Sequence, residues 1–244
     1  MLEIDILLVF LLNLDYKKVQ EVIMLELFFS YSKYRYFLQM ELNPETLKKA
    51  YNYLSKDDCL NHFIIKFSDV IDISERYNDN YAKALADLII EQQVSFKAAI
   101  TIKKRFSDLI NNLSNNEILE LKLEKIQSIG ISYRKAEYIQ NVYIYFQESK
   151  YDFISASNKD VITELISIKG IGLWSAQMFL IFVLMRIDIF SPGDLALMNS
   201  LKVNYKIDIK NKKTVESLVN KWSPYKSVAS LLLWKSIEEK YYYS

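Results

Sequence analysis

The stretch LISIKGIGLWSAQ, residues 165–177, sets two glycines between two helical patterns. One apolar periodicity ends at Ser167, Gly170 and Gly172 form the turn, and a second apolar face begins at Leu173. A Gly-x-Gly pair that binds a dinucleotide follows a strand and precedes a third glycine, and both features are missing here. The stretch therefore predicts a helix, a tight hairpin and a second helix.

This hairpin leaves backbone N–H groups at the start of the second helix without a partner inside that helix. Such groups bind a phosphate without reading a base, so the backbone of DNA or RNA is a natural ligand. The candidate contacts are Gly170, Ile171, Gly172 and Ser175. The alternative is an ordinary helix turn that binds nothing.

A second stretch, DIFSPGDLAL at 188–197, places Asp194 directly after a Pro-Gly bend and at the start of a further helix. Taken alone, this aspartate is most simply a helix N-cap. The candidate phosphate-binding hairpin about twenty residues earlier gives a functional role more weight than the aspartate has by itself.

The composition favours helices. The chain has 244 residues, of which 51% are hydrophobic, so it can bury a sizeable core as one large domain or two small ones. Four glycines and three prolines, against 18 tyrosines and 13 phenylalanines, are too few for the turns of an all-β fold. No pair of strands with a hairpin signal is found. We therefore predict an all-α fold with long helices and short loops.

Cysteine, histidine and charge exclude several classes of site. The single cysteine, Cys59, excludes an intrachain disulfide framework, a four-thiolate iron–sulfur cluster and a multi-cysteine zinc site, and it indicates a reducing compartment. Any Ser-His or Cys-His catalysis would have to use the single histidine, His62. The net charge is −4 over residues 1–80 and +5 over 81–244, which fits either a phosphate-contacting surface or a lysine-rich solvated one.

Helices are predicted from Pro44 onward and through the alanine-rich segment that begins at Tyr81. Ser95 can cap the next helix, with Phe96, Ala99, Ile100 and Phe106 on its inner face and Lys97, Lys103, Lys104 and Arg105 on its outer face. Further helices fit 134–147, 158–167, 173–186, 195–203, 213–221 and 226–240.

Residues 1–42 are interpreted as an N-terminal extension that packs on a main domain, residues 43–244. Two apolar runs in the extension, Ile4–Leu12 and Val22–Phe29, are shorter than the ~20 residues of a membrane-spanning helix. No basic segment precedes the first run and Asp5 interrupts it, so a secretory signal is not expected either. The alternative is a true start downstream, for example at Met40.

Five motifs in order give this chain a specific resemblance, which covers roughly residues 50–240. They are EQQVSFKAA, SIGISYRKAEYI, KGIGLWSAQ, FSPGDLAL and WSPYKSVASLLLW. Together they resemble the helix-hairpin-helix superfamily of DNA glycosylases, and within it the 3-methyladenine DNA glycosylase II branch. The resemblance implies a two-lobed all-α fold with a DNA-binding cleft between the lobes. It also implies excision of alkylated purines in base-excision repair.

The resemblance assigns roles to several residues. Asp194 becomes the catalytic aspartate, and the hairpin at 170–172 holds a backbone phosphate near the lesion. Relatives that also cleave the DNA strand carry a lysine where this chain has Trp174, so no lyase activity is expected. The aromatic residues Trp174, Trp222 and Tyr225 are candidates for a pocket that attracts a cationic base, with Met178 at a position where relatives often have an aromatic residue. The alternative is that some of these residues are simply core.

The segment Gln92, Gln93 and Val94 lies where the family inserts a side chain into the gap left by the flipped nucleotide, although a loop without DNA contact is the alternative. No metal or organic cofactor is expected, and a monovalent cation at the hairpin–phosphate contact is left open. The expected partner is double-stranded DNA with damaged bases, bound by a monomer that has no membrane contact. The expected location is intracellular, with the chromosomal DNA.

Two other functions remain open at this stage. One is excision of a different lesion, such as a deaminated or oxidised base, on the same scaffold. The other is a non-catalytic helix-hairpin-helix DNA-binding protein. The presence of Asp194 after its Pro-Gly bend favours an enzyme.

Overall fold

The computed structural model describes residues 41–73 and 77–243, except for the side chain of Phe96. Over these residues the chain forms twelve α-helices and no strand. The helices are α1 (Pro44–Leu54), α2 (Asp58–Phe67), α3 (Tyr81–Glu91), α4 (Phe96–Ile110), α5 (Asn115–Glu120), α6 (Leu123–Gln127), α7 (Tyr133–Glu148), α8 (Asn158–Ser167), α9 (Leu173–Phe182), α10 (Leu195–Tyr205), α11 (Lys212–Asn220) and α12 (Lys226–Glu238). The prediction of an all-α fold is confirmed.

Most of these helices begin at a polar side chain that accepts a hydrogen bond from the first turn. Nine of the twelve described helices have such a cap, for example Ser95 before α4 and Ser132 before α7. The helix α9, which follows the glycine hairpin, is one of the three without one. Its first N–H groups are therefore open to an external acceptor.

The helices divide into two lobes, each with its own core. The internal lobe consists of α3–α9, and residues such as Leu85, Phe106 and Phe179 are fully buried in it. The terminal lobe consists of α1, α2, α10, α11 and α12, with a core that includes Phe63 and Leu201. The internal lobe is thus an insertion between the two parts of the terminal lobe.

Contacts across the junction connect the lobes. Leu231 and Trp234 of α12 pack against both cores. Beside them, the backbone N–H of Leu42 donates to the carbonyl of Met185, and Arg186 forms an ion pair with Glu41 at 2.7 Å. The junction therefore brings α9, α10 and α12 into contact.

Two local predictions were wrong. The helix predicted over 173–186 ends at Phe182, because Met185 takes a left-handed conformation with φ of 52° and the chain turns into the terminal lobe. Ile100 was placed on the inner face of α4, but 51% of its surface is exposed. The buried face uses Ala99, Ile102 and Phe106 instead.

The predicted extension, residues 1–42, lies outside the described residues apart from Glu41 and Leu42. Leu42 is 1% exposed in the core of the terminal lobe. Nowhere in 41–73 or 77–243 is a helix both long and apolar enough to cross a membrane.

Candidate functional site

Asp194 lies at the junction of the two lobes and accepts three hydrogen bonds. Its Oδ1 receives the backbone N–H of Leu197, 2.9 Å away, and so caps α10. The indole Nε1–H of Trp234 donates to the same oxygen at 3.0 Å, and that of Trp174 donates to Oδ2 at 2.8 Å. A carboxylate has about four acceptor positions. The hydrogen bonds from described residues use three of them, so one position on Oδ2 has no donor from these residues. Asp194 is therefore both the N-cap predicted from the sequence and a carboxylate held in one orientation.

Trp234 was not among the residues predicted for the site. It lies on α12, 40 residues after Asp194, and its ring packs at 5.4 Å from that of Phe182 in the internal lobe. A signal was present, because an indole N–H on an apolar helix face needs a buried acceptor. The sequence does not say which carboxylate supplies it.

The loop that carries Asp194 is fixed by polar contacts from α9. Ser191 Oγ donates to Gln177 Oε1 at 2.7 Å, and Gln177 Nε2 donates to the carbonyl of Phe190 at 3.4 Å. The N–H of Asp194 in turn donates to the carbonyl of Ser191. Gln177, one of two polar residues in the largely apolar α9, thus couples the loop to the internal lobe. It is a second residue that the sequence did not point to.

A second carboxylate on this loop is already used. Asp188 Oδ2 accepts from Ser223 Oγ at 2.6 Å and lies 3.8 Å from Lys226 Nζ. Its contacts are with the start of α12, so it serves the packing of the terminal lobe. Of the two carboxylates of this loop, Asp194 is therefore the one that is available to contact a ligand.

The glycine hairpin is a tight turn in which the two glycines have different surroundings. Gly170 has φ of 108°, and a Cβ there would lie 2.2 Å from Tyr138 Cγ, so no other residue fits. The side chain of Ile171 is buried and anchors the turn. Gly172 has φ of −105°, and a Cβ there would meet no other atom within 4 Å, so the protein itself gives no reason for a glycine at this position.

The first turn of α9 presents N–H groups beside that open space. No side chain caps this helix within the described residues, so the N–H groups of Leu173, Trp174 and Ser175 point out of its N-terminal end. The hydroxyl of Ser175 points inward and accepts from Gln92 Nε2 at 2.9 Å. The predicted contact at Ser175 is thus available through its backbone N–H and not through its side chain.

The segment Gln92–Val94 lies directly beside the hairpin, as a turn between α3 and α4. Gln92 is half-buried and also donates to the carbonyl of Gly170 at 3.3 Å, so it is a brace for the hairpin. Gln93 has φ of 57° and is exposed, as is Val94. Lys135 of α7 donates from Nζ to the carbonyls of Ile90 and Gln92, and burial lowers its pKa. The turn therefore projects Gln93 and Val94 from a fixed base.

The structure does not bring the four residues of the predicted base pocket together. Trp174 is half-buried beside Asp194, whereas Trp222 is 1% exposed and donates to Asp57 Oδ2 in the core of the terminal lobe. Met178 is 2% exposed in the internal core. Because they are buried, Trp222 and Met178 offer no surface to a base in this conformation. Tyr225 is half-buried, with its ring edge-on to Tyr53 at 5.4 Å.

The remaining candidates for chemistry lie in the terminal lobe. His62 stacks on Tyr241 with ring centroids 4.7 Å apart. Cys59 is buried, and this burial raises the pKa of its thiol to about 12. Within the described part of the chain, no group of three or more His, Cys, Asp and Glu is placed to hold a metal ion.

Known proteins resemble this chain over most of its described length. The model of the HhH-GPD superfamily of base excision DNA repair proteins matches residues 86–224. A Bacillus subtilis (strain 168) protein, YfjP, provisionally named a DNA-3-methyladenine glycosylase, is 33% identical over 162 residues. That match covers 62% of this chain and 56% of the relative, so the chain spans little more than half the length of that relative.

Solved structures agree with the sequence comparison. A DNA-3-methyladenine glycosidase from Bacillus halodurans has 31% identity and a TM-score of 0.63, and the match covers 83% of this chain and 94% of that one. The 3-methyladenine DNA glycosylase Mag1 of Schizosaccharomyces pombe, in complex with abasic DNA, has 26% identity and a TM-score of 0.71, over 78% of this chain and 97% of that one. The resemblance seen in the five motifs is confirmed.

The matched family region contains the glycine hairpin, the turn at Gln92–Val94 and Asp194, which are the features that converge at the lobe junction. It spans more than half of the chain and draws on both lobes. The chain therefore belongs to the HhH-GPD superfamily of base excision DNA repair proteins.

Proposed function

We propose that this protein is a monofunctional DNA N-glycosylase that removes alkylated purines of the 3-methyladenine type from double-stranded DNA. The observation that carries the proposal is the carboxylate of Asp194, oriented by Trp174 and Trp234 beside an uncapped helix N-terminus. The names of the similar proteins support the same substrate class.

The DNA-binding step uses the hairpin and the neighbouring turn. A phosphate of the damaged strand is bound by the N–H groups at the start of α9, which approach closely because Gly172 has no side chain. Extrusion of a nucleotide costs a few kcal/mol, and the cost is smallest for damaged or mispaired bases. Gln93 and Val94 occupy the gap, since they project from the turn that Gln92 and Lys135 fix.

The chemical step needs one carboxylate. An alkylated purine already carries positive charge, so the C1′–N bond breaks with its electron pair leaving on the base, and no general acid is required. The free acceptor position on Asp194 Oδ2 faces the positive charge that develops on the sugar and orients a water molecule. The oxygen of that water bonds to C1′, and its proton passes to the carboxylate or to solvent. Hydrolysis of O-glycosides generally needs a second carboxylate because the leaving oxygen must be protonated.

Strand cleavage is not part of this proposal. A lyase forms a Schiff base between an amine and the sugar, and the hairpin position at which related lyases have a lysine carries Trp174 here. The indole instead donates to Asp194. The product is then an intact strand with an abasic site.

The proposal includes four further expectations. The reaction needs no metal or organic cofactor, while a monovalent cation can share the hairpin–phosphate contact. The protein acts as a monomer on damaged duplex DNA. It works inside the cell, at the chromosomal DNA.

The test is release of free base from methylated duplex DNA, followed by chromatography. The wild type is expected to release 3-methyladenine or 7-methylguanine in the presence of EDTA. Asp194→Asn is expected to lower the rate about 10²-fold or more, because the charge that stabilises the sugar cation is lost. Binding to an abasic duplex is measured in parallel and should be retained.

Asp188→Asn is the matched control, because it removes a carboxylate from the same loop whose described side-chain contacts are with Ser223 and Lys226. This variant should release base at the rate of the wild type. No release by a folded, DNA-binding wild type would exclude alkylation repair and favour another lesion or a non-catalytic DNA-binding role. Equal release by the wild type and Asp194→Asn would exclude a catalytic role for Asp194 and leave it only the role of a helix cap.

A further inference from the structure

An open groove of 420 Å³ lies beside α4, the helix that begins after the Gln92–Val94 turn. Ser95, Lys97, Thr101 and Arg105 line it on one side, and Gly130 lines it on the other. Lys97, Thr101 and Arg105 are spaced four residues apart and therefore share one face of α4, about 12 Å long. The groove belongs to none of the parts used in the proposed reaction.

The charged side chains that line this groove among the described residues, Lys97 and Arg105, are both positive. The helix α4 carries four cations and one carboxylate, Asp108. Lys103 is the one of the four that forms an ion pair with a described residue, Glu91. Within 41–73 and 77–243, no carboxylate lies within 4 Å of the charged groups of Lys97 or Arg105. Such a surface fits an anionic ligand.

Arg105 is held in the groove by the turn between α6 and α7. One guanidinium nitrogen donates to the carbonyl of Ile129 at 3.3 Å, which leaves the other donors for a ligand. Gly130 has φ of 107°, and a Cβ there would lie 3.3 Å from the same nitrogen. The glycine therefore lets the guanidinium lie against the turn.

This turn repeats the pattern of the phosphate-binding hairpin. Both have a glycine with φ near 108°, then isoleucine, and an alanine six positions after the glycine, at Gly130–Ala136 and Gly170–Ala176. They differ at the cap, because Ser132 accepts the N–H of Lys135 where Gly172 leaves α9 open. The first turn of α7 is thus less available to an anion, and Arg105 supplies the positive charge on this side.

The position of the groove next to the Gln92–Val94 turn favours one kind of ligand. Gln92, at one end of the turn, contacts the hairpin, and Ser95, at the other end, lines the groove. If the turn enters the gap in a duplex, the damaged strand lies on the hairpin side and the other strand lies on the groove side. We propose that this groove binds phosphates of the undamaged strand through Lys97 and Arg105, an inference that rests on the proposed function.

The test measures the salt dependence of binding to a duplex with a tetrahydrofuran abasic analogue. The full-length wild type is compared with Lys97→Gln, Arg105→Gln and the double variant. Binding weakens with salt, and each phosphate contact contributes about 0.9 to the steepness of log K against log salt. The slope of the double variant should therefore be less steep than that of the wild type by about 1.8. The side chain of Lys97 makes no hydrogen bond or ion pair to other described residues, so its variant reports binding even if Arg105→Gln destabilises the turn.

Lys150→Gln is the matched control, because this exposed lysine follows the far end of α7, more than 20 Å from the Gly130 turn at a rise of about 1.5 Å per residue. Its salt slope should equal that of the wild type. A slope unchanged in the double variant would overturn the inference about the groove, and base release by the same wild-type sample would show that the proposed function still holds.

Neutral methylphosphonate linkages then identify the strand. Placed in the undamaged strand opposite the lesion, they should weaken binding of the wild type but not of the double variant. Placed in the damaged strand, they should weaken both proteins equally. The reverse pattern would move the contact of Lys97 and Arg105 to the damaged strand and overturn the inference. A wild type that does not bind the unmodified duplex would contradict the proposed function itself.

Discussion

Trp234 Nε1 lies 3.0 Å from Asp194 Oδ1, and this contact joins α12 to the N-terminus of α10 across 40 residues. The same oxygen accepts the N–H of Leu197, so the carboxylate has its orientation fixed from two directions. Trp234→Phe keeps the ring against Phe182 and removes only the donor. Because a hydrogen bond to a charged group contributes about 1.5–3 kcal/mol, kcat for base release should fall roughly 10- to 100-fold.

The melting temperature and the KM separate this positioning effect from a loss of folding. In Trp234→Phe kcat should fall, whereas the KM for damaged DNA and the melting temperature should remain near those of the wild type. A variant with wild-type kcat would contradict a positioning role for the indole N–H.

Two glycine variants test close approach of a phosphate. Gly170→Ala should destabilise the fold by about 1–3 kcal/mol, because φ is positive and the new Cβ would overlap Tyr138. Gly172→Ala should change the free energy of unfolding by less than about 0.5 kcal/mol, because the space is empty and φ is negative. If a phosphate approaches there, Gly172→Ala should nevertheless lose about tenfold or more in DNA affinity. Unchanged affinity would place the phosphate elsewhere.

Borohydride trapping tests the absence of lyase chemistry. Reduction during turnover captures a Schiff base between protein and DNA, and Trp174 offers no amine. We expect no covalent protein–DNA product on a denaturing gel, and strand breaks only after treatment with alkali. A trapped adduct would require an amine from another residue and would contradict the monofunctional assignment.

The half-buried Asp87 on α3 makes stability depend on pH. Burial is the main cause of its raised pKa, and Lys83, 2.7 Å away, opposes it. The folded state therefore holds this proton more tightly than the unfolded state, so stability falls as pH rises above the unfolded pKa of about 4. Asp87→Asn should melt at a higher temperature than the wild type at pH 7, and the difference should shrink toward pH 3. A lower melting temperature at pH 7 would mean that the Lys83 contact dominates.

The thiol of Cys59 provides a reporter of unfolding in the terminal lobe. Because it is buried with a pKa of about 12, iodoacetamide should label it slowly at pH 8 in the folded protein. Labelling should become complete in denaturant, as mass spectrometry can measure. Rapid labelling without denaturant would show that α2 opens readily.

The parts of the fold that the sequence predicts are those with local signals. Helices with a polar cap and a regular apolar face, such as the one that Ser95 begins, need only neighbouring residues to be recognised. Gly170 is enough to predict the hairpin, and the Pro-Gly bend is enough to predict that Asp194 begins α10. The end of α9 at Phe182 could not be predicted, because residues 183–185 after it are still apolar and only the return of the chain to the terminal lobe stops the helix.

The tryptophans show why the site could only partly be predicted. Trp174, Trp222 and Trp234 all need an acceptor for the indole N–H when buried. The indole N–H groups of Trp174 and Trp234 donate to Asp194, whereas that of Trp222 donates to Asp57 in the core of the terminal lobe. Nothing local distinguishes these outcomes, because each contact depends on how distant helices pack. The same reason explains why Gln177 was missed.

The order of the lobes along the chain also sets the order in which the protein becomes complete during synthesis. The internal lobe, with both turns and the hairpin, is present once residue 182 has emerged. The donors on Asp194 are complete only when α12 follows with Trp234. A ribosome that stalls within that interval would leave a chain that carries Asp194 but lacks the Trp234 donor that orients it.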